Sequence, residues 1–155
     1  MKKFFLMAAA MFVLMGSVTV LTSCGDDEDE KAEKAAADIA SGKVKPNVNI
    51  TESDNQLVLT IVFPGVYTET EVATFDAQGK CIKFITTETY ATDALANAAW
   101  EEIQKDYSGY ELEAFTRNGK TIIEDETDAY AGDTKDEVKA WFEALKKGFE
   151  EEYQQ

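Results

Sequence analysis

The residues with the most reactive side chains are two cysteines, Cys24 and Cys81, and the chain contains no histidine. A thiol that ionises is a nucleophile, so each cysteine is a candidate for covalent chemistry. The lack of histidine removes the commonest general base, the commonest zinc ligand and every nucleophile–histidine pair. Carboxylates are therefore the main groups left for acid–base catalysis.

Cys24 follows a positively charged start and a long apolar segment. Lys2 and Lys3 precede an apolar run over residues 4–21. This run is close to the lower limit of roughly 17 residues for a membrane helix, so an uncleaved helix is the alternative to a signal peptide. No small-x-small pair closes the run, and an ordinary secretory cleavage site is not indicated.

The residues at the end of the apolar run resemble the lipobox of bacterial lipoproteins. The motif has an aliphatic residue and two small residues before a cysteine: Leu21, Thr22, Ser23 and Cys24. The resemblance implies that the Cys24 sulfur receives a diacylglyceryl group and that a signal peptidase cuts before it. Two or three acyl chains hold a protein stably at a membrane, at about 0.8 kcal/mol per buried methylene. We expect a signal peptide over residues 1–23 and a lipid anchor.

A run of acidic residues follows directly: Asp26, Asp27, Glu28, Asp29 and Glu30. Mutual repulsion keeps such a run solvated. It resembles the acidic export signal of surface-exposed lipoproteins of the Bacteroidetes type, which implies an outer-membrane protein that faces the medium. The periplasmic face and a plain solubilising spacer are the alternatives. We assign residues 24–46 to a tether, in which the Ala-rich stretch 31–41 favours a short helix.

Residues 47–155 predict a single α+β domain. Alternating patterns indicate the following strands: 47–50, 57–63, 67–75, 81–87, 110–115 and 121–124. A helix is expected after a cap at Thr92 or Asp93, and a second after a capping box that begins at Thr134. Strands, helix, hairpin and helix in this order predict an antiparallel sheet of about five to six strands with two helices on one face.

The turn sequences at 75–80 and 115–120 both read F-x-x-x-G-K. A strand pair, a helix and a second pair joined by such turns are similar to PepSY-like periplasmic domains over residues 70–125. The resemblance implies an inhibitor or accessory module for a secreted enzyme or outer-membrane complex, which we keep as an alternative function.

Two pairs of glutamates are candidates for acid–base catalysis, Glu69 with Glu71 and Glu111 with Glu113. Both pairs alternate with apolar residues, so we expect them to face solvent. Cys81 lies within a strand and is expected to be buried. The acidic segment 124–128 lacks the spacing of a calcium loop, and we predict no metal site and no cofactor.

The net charge of −15 argues against nucleic acid as a partner, because like charges repel. Tyr107, Tyr110 and Tyr130 are the candidate binding residues, since a tyrosine ring offers both an apolar face and a hydroxyl. We therefore expect a non-catalytic, lipid-anchored envelope protein that binds an extracellular ligand or another envelope protein. A carboxylate-based hydrolase is a further alternative.

Overall fold

The computed structural model describes residues 27–153, which form six strands and five helices. The strands are β1 Asn47–Glu52, β2 Gln56–Phe63, β3 Tyr67–Phe75, β4 Cys81–Tyr90, β5 Phe115–Asn118 and β6 Thr121–Asp125. The helices are α1 Asp27–Ala40, α2 Asp93–Asp106, α3 Tyr110–Glu113, α4 Thr127–Tyr130 and α5 Lys135–Glu152. The predicted lipobox (Leu21, Thr22, Ser23, Cys24) and Asp26 lie outside the described residues.

The six strands form one antiparallel sheet in the order β1-β2-β3-β4-β6-β5. Threonine and the other β-branched residues are frequent in the strands, and such residues suit a pleated and half-buried surface. Gly79 and Gly119 occupy the tight turns with φ of 73° and 58°, a conformation that glycine adopts without a steric penalty. The α+β class with an antiparallel sheet, predicted from the sequence, is confirmed.

The core lies on one face of this sheet, beneath helices. α5 contacts β1 and β2, whereas α2 contacts β4 and β6. From β2, the core receives Leu57, Leu59, Ile61 and Phe63. From the helices, it receives Leu95, Ala96, Val138, Phe142 and Phe149. The side chains of one sheet face therefore meet two helices at different positions along the sheet.

Helix α1 packs against the domain through Ala36 and Ile39, which are both buried in the core. Their spacing of three residues places them on one side of the helix. A Cβ built on Gly65 would lie 2.9 Å from the Cβ of Ala35, so the helix passes close to the β2–β3 turn. This segment falls within the tether predicted over residues 24–46, but the structure joins its second half to the folded domain.

The strand expected at 110–115 is wrong over most of its length. Residues Tyr110–Glu113 form the short helix α3, and strand β5 begins only at Phe115. Glutamate, leucine and alanine are good helix formers, and their alternation over so few residues imitates a strand. Gly109, with φ of 57°, turns the chain into this helix.

The predicted starts of the two long C-terminal helices are confirmed. The Thr92 hydroxyl accepts a hydrogen bond from the Leu95 amide at the start of α2. Thr134 and Glu137 form the reciprocal capping box of α5. Over residues 27–153, no helix is both long enough and apolar enough to cross a membrane.

Candidate functional site

Three glutamates lie on the helix-covered face of the sheet, among the core side chains. Glu69 and Glu71 come from β3 and Glu88 comes from β4; we call them the inner glutamates. The strand register places Glu69 opposite Glu88 and Glu71 opposite Thr86. Opposite residues of an antiparallel pair share a face, with Cβ atoms about 4.5–5.5 Å apart. The register therefore brings three carboxyl groups to neighbouring positions on one surface.

The inner glutamates are almost fully removed from solvent: Glu69 is 5% exposed, Glu71 0% and Glu88 9%. The Tyr90 hydroxyl donates a hydrogen bond of 2.6 Å to Glu88 Oε2. By contrast, neither carboxyl oxygen of Glu71 receives a hydrogen bond from the described residues, and the same is true of Oε1 of Glu69. A buried polar group without a partner costs about 1–3 kcal/mol, so this arrangement opposes folding.

Burial raises the pKa values of all three inner glutamates. The pKa of Glu69 is raised to about 8, first by desolvation and then by the charge of Glu88. The pKa of Glu71 is raised well above its usual range by desolvation and by Glu69. A protonated carboxyl of this pair can donate a hydrogen bond to the other carboxyl. This interaction raises the pKa of Glu71 and lowers the pKa of Glu69, so the shared proton is favoured on Glu71. Burial also raises the pKa of Glu88.

Two further glutamates, Glu124 and Glu126, continue this cluster towards the surface; we call them the outer glutamates. Glu124 lies opposite Thr86, in the same row across the sheet as Glu71. The pKa of Glu124 is raised to about 8 by desolvation and by the charge of Glu126. The pKa of Glu126 is also raised by burial, although a 2.6 Å hydrogen bond from the Thr86 hydroxyl opposes the shift.

The outer glutamates line an open cleft of about 770 Å³. Its acidic lining residues are Glu111, Glu113, Glu124, Asp125, Glu126 and Asp128, and Lys83 is the one lysine among the described residues that line it. The rings of Tyr107 and Phe115 lie in its wall with their centroids 5.0 Å apart. The cleft thus combines a strongly negative lining with an aromatic wall, and its volume is that of a small-molecule site.

The structure brings two of the three candidate tyrosines to this cleft. Tyr107 and Tyr110 line it, and the Tyr110 hydroxyl donates to Asp128 over 2.9 Å. Burial raises the pKa of Tyr107 to about 12, so its hydroxyl stays protonated. Tyr130 is instead buried in the core, where its ring stacks on Phe84 with centroids 4.0 Å apart.

The placement of the other candidates is mixed. Cys81 is buried as expected, with 2% of its surface exposed. Glu111 and Glu113 are exposed as expected, but they lie on helix α3 rather than on a strand. The expectation that Glu69 and Glu71 face solvent is wrong. Both share a face with Tyr67, Ala73 and Phe75, which are all buried.

Sequence reasoning named Glu69 and Glu71 as candidates but missed their burial, and it missed Glu88 altogether, although a signal for the burial of the β3 pair exists. In β3, Tyr67 and Phe75 stand in the same alternating phase as the two glutamates, while the opposite phase is mostly threonine. The phase that begins and ends on aromatic residues is the one that faces the core. The two glutamates in the middle of that phase are therefore charged residues at positions where the pattern predicts burial.

Within the described part of the chain, no three Asp, Glu or Cys side chains converge closely enough to hold a metal ion. The arrangement offers two other kinds of chemistry. Ionised carboxyls around a cleft bind a cationic group, and protonated ones with pKa values near 8 donate protons at neutral pH.

Comparisons with protein-family models, with curated proteins and with solved structures find no match for this chain. The similarity to PepSY-like domains and the lipobox resemblance stay predictions. The case for function therefore depends on the cleft and on the residues that line it.

Proposed function

We propose that this chain is a lipid-anchored, non-catalytic binding protein of the cell envelope and that its ligand site is the acidic cleft. The observation that carries this proposal is the cleft of about 770 Å³, which has aromatic rings in its wall and carboxylates around them. Sites for small molecules have this size and combine apolar surface with a few polar groups that fix orientation.

The energetic state of the buried carboxyls behind the cleft supports a binding role. Glu69 and Glu71 destabilise the fold, because they are buried with carboxyl oxygens that receive no hydrogen bond from the described residues. They do not line the cleft, so a positively charged ligand there would act on them through its charge. Binding sites commonly retain such groups at the expense of stability.

The anchoring part of the proposal is supported by the N-terminal sequence. Cys24 ends a lipobox-like tetrapeptide, and the acidic residues 26–30 follow it. We place the protein in the outer membrane with the domain facing the medium, and the periplasmic face is the alternative. A cleft that faces the medium would meet extracellular ligands directly.

The binding proposal can be tested by filling the cleft. Ala129 is exposed and lines the cleft, whereas Ala131 is exposed, lies two residues later and does not line it. The lipidated protein in detergent is screened by thermal shift against a panel of amines, short peptides, oligosaccharides and dicarboxylates. We expect at least one class to stabilise the wild type and Ala131→Trp but not Ala129→Trp. If no compound in the panel stabilises the wild type, the proposal fails.

A carboxylate-based hydrolase is the second candidate, and the raised pKa of Glu124 favours it. A carboxyl with a pKa of about 8 that lines an open cleft is suited to general acid catalysis at neutral pH. Steady hydrolysis of p-nitrophenyl glycosides or esters by the wild type, lost in Glu124→Gln, would establish an enzyme. Binding without turnover supports the non-catalytic proposal.

A further inference from the structure

We propose that the ligand of the acidic cleft is an organic cation, an ammonium or guanidinium group that contacts the outer glutamates in front of the buried carboxyl cluster. This inference rests on the proposed function, because it names the class of ligand for the same site. It is carried by three features of the described residues: the sign of the charge, the unsatisfied acceptors and the aromatic wall.

The charge around the cleft has one dominant sign. Its described lining contains six acidic residues and the single lysine Lys83. Hydrogen bonds from Thr127 lower the pKa of Asp125, and the charge of Lys83 adds to this shift. Among the described residues, no ion pair includes Glu124 or Glu126, and no cation contributes to the pKa shift of either carboxyl. A cation in the cleft would therefore gain the attraction that these groups lack.

The second feature is the set of hydrogen-bond acceptors that lack donors. Both carboxyl oxygens of Glu71 and Oε1 of Glu69 receive no hydrogen bond from the described residues. Glu71 is fully buried and stands in the row of the sheet that runs through Thr86 to Glu124 at the cleft. Ammonium and guanidinium groups carry several N–H donors and form their strongest hydrogen bonds with carboxylates. Glu69 and Glu71 do not line the cleft, so such a group would donate to the outer glutamates and act on the inner pair through its charge.

The aromatic wall suits the same ligand. Phe115 lies opposite Glu124 in the β5–β6 pair, so an aromatic ring and a carboxyl are neighbours at the inner end of the cleft. Tyr107 packs against that ring. A cation near an aromatic face is attracted by the ring quadrupole, and the methylene groups of an organic cation gain by contact with the same rings.

The geometry favours an organic cation over a metal ion. Metal ions need several ligands at short, defined distances, and no three suitable groups of the described residues converge in that way. Hydrogen bonds from an ammonium group span about 2.7–2.9 Å from nitrogen to oxygen and tolerate carboxyls that are further apart. The cleft volume of about 770 Å³ also exceeds what a bare ion would fill.

Cation binding has a proton consequence that can be measured. Glu69, with a pKa of about 8, holds a proton at neutral pH because burial disfavours its charged form, and burial also raises the pKa of Glu71 well above its usual range. A positive charge placed beside them favours ionisation, so binding should release protons to the solvent. Calorimetry in buffers that differ in ionisation enthalpy reports the number released.

The test uses three probes of matched length: 1,5-diaminopentane, 1,5-pentanediol and glutarate. They present a cation, a neutral group and an anion at the same spacing. Binding to the lipidated protein in detergent is measured by calorimetry at pH 7. We expect the diamine to bind at least about tenfold more tightly than the diol, with proton release and weaker binding at high salt. Glutarate should not bind.

Two variants assign the diamine to the cleft. Glu124→Gln keeps the size of the side chain but cannot ionise beside a bound cation, and we expect it to weaken diamine binding about tenfold. Glu143→Gln makes the same change on an exposed residue of α5 that does not line the cleft, and it should leave binding unchanged. An equal loss in both variants would indicate nonspecific attraction and overturn the inference.

The outcomes separate this inference from the function on which it rests. If the diol or glutarate binds as well as the diamine, and Ala129→Trp abolishes that binding, the cleft is a binding site but its ligand is not a cation. If calcium chloride binds and the diamine does not, the inference is also wrong. If neither these probes nor the wider panel binds, the proposed function itself fails.

Discussion

Glu69 of β3 lies directly opposite Glu88 of β4, and both side chains are buried beneath the helices that cover the sheet. Like charges in directly opposite positions destabilise a strand pair. The chain avoids the full repulsion because burial raises the pKa values of both carboxyls. The protonation of this pair therefore makes the stability of the fold depend on pH and on the charge in the cleft.

The stability of the domain should fall as pH rises from about 5 to 8. Glu69 has a pKa of about 8 in the fold, raised from 4.5, so the folded state holds a proton that the unfolded state has lost over this range. Each such carboxyl lowers the free energy of unfolding by about 1.4 kcal/mol per pH unit between the two pKa values. Thermal melts at pH 5, 6, 7 and 8 test this. A melting temperature that rises with pH, or stays constant, contradicts it.

Replacement of Glu71 by an apolar residue should stabilise the protein. Glu71 is fully buried and its carboxyl oxygens receive no hydrogen bond from the described residues. We expect Glu71→Met to raise the free energy of unfolding at pH 8 by about 1–3 kcal/mol, which is the penalty for an unsatisfied buried group. Denaturant titrations measure the change. Glu143→Met, on the exposed side of α5, is the control and should change stability by less than about 0.5 kcal/mol.

Gly65 should tolerate alanine less well than Gly79 does. Both have positive φ, at 78° and 73°, so both substitutions carry a backbone penalty of about 1–2 kcal/mol. A Cβ at Gly65 would also meet Ala35 of α1 at 2.9 Å, whereas a Cβ at Gly79 meets nothing within 4 Å. The excess loss in Gly65→Ala over Gly79→Ala measures the packing of α1. Equal losses would mean that this contact contributes nothing.

Cys24→Ala should leave an unprocessed precursor that carries no lipid. The thiol is the only group of the proposed lipobox that accepts the diacylglyceryl chain, and cleavage follows that modification. Metabolic labelling with a radioactive or alkyne-tagged fatty acid, combined with the mobility of the protein on a gel, reports both steps. Cys81→Ala is the matched control and should be labelled normally. Normal processing of Cys24→Ala would refute the anchor.

The acidic run after Cys24 should determine which side of the outer membrane displays the domain. Neutral replacements of Asp26, Asp27, Glu28, Asp29 and Glu30 remove the proposed export signal without touching the lipobox. We expect the variant to be protected from protease added to intact cells, while the wild type is digested. A variant that stays accessible would reduce the acidic run to a solubilising spacer.

Much of the fold could be predicted because local chemistry agrees with it. The alternation in β2 and β3, the caps at Thr92 and Thr134 and the turn at Asn118-Gly119 each have one clear structural meaning. The segment 110–115 failed because its residues favour a helix as strongly as their alternation favours a strand. The burial of Ala36 and Ile39 depends on contacts with residues distant in sequence, which local patterns do not report.

The site was harder to predict than the fold for a physical reason. A glutamate in a strand usually faces solvent, since burial of a charged group is expensive. Glu69 and Glu71 break this rule, and only the register of β3 against β4 shows that they meet Glu88. The position of Glu124 beside them depends on the pairing of β6 with β4, two strands that are separated in the sequence by α2, α3 and β5. Such pairing is a property of the whole sheet.

The docking of α1 affects how the proposed lipid anchor would position the domain at the membrane. The helix begins at Asp27, so only two residues separate it from Cys24, and its 14 residues span about 21 Å. Because Ala36 and Ile39 pack its second half against the core, α1 is part of the folded domain. A lipid at Cys24 would keep the domain close to the bilayer, because few residues of the sequence separate the anchor from the docked helix. The distance of the cleft from the membrane would then be limited by the length of α1.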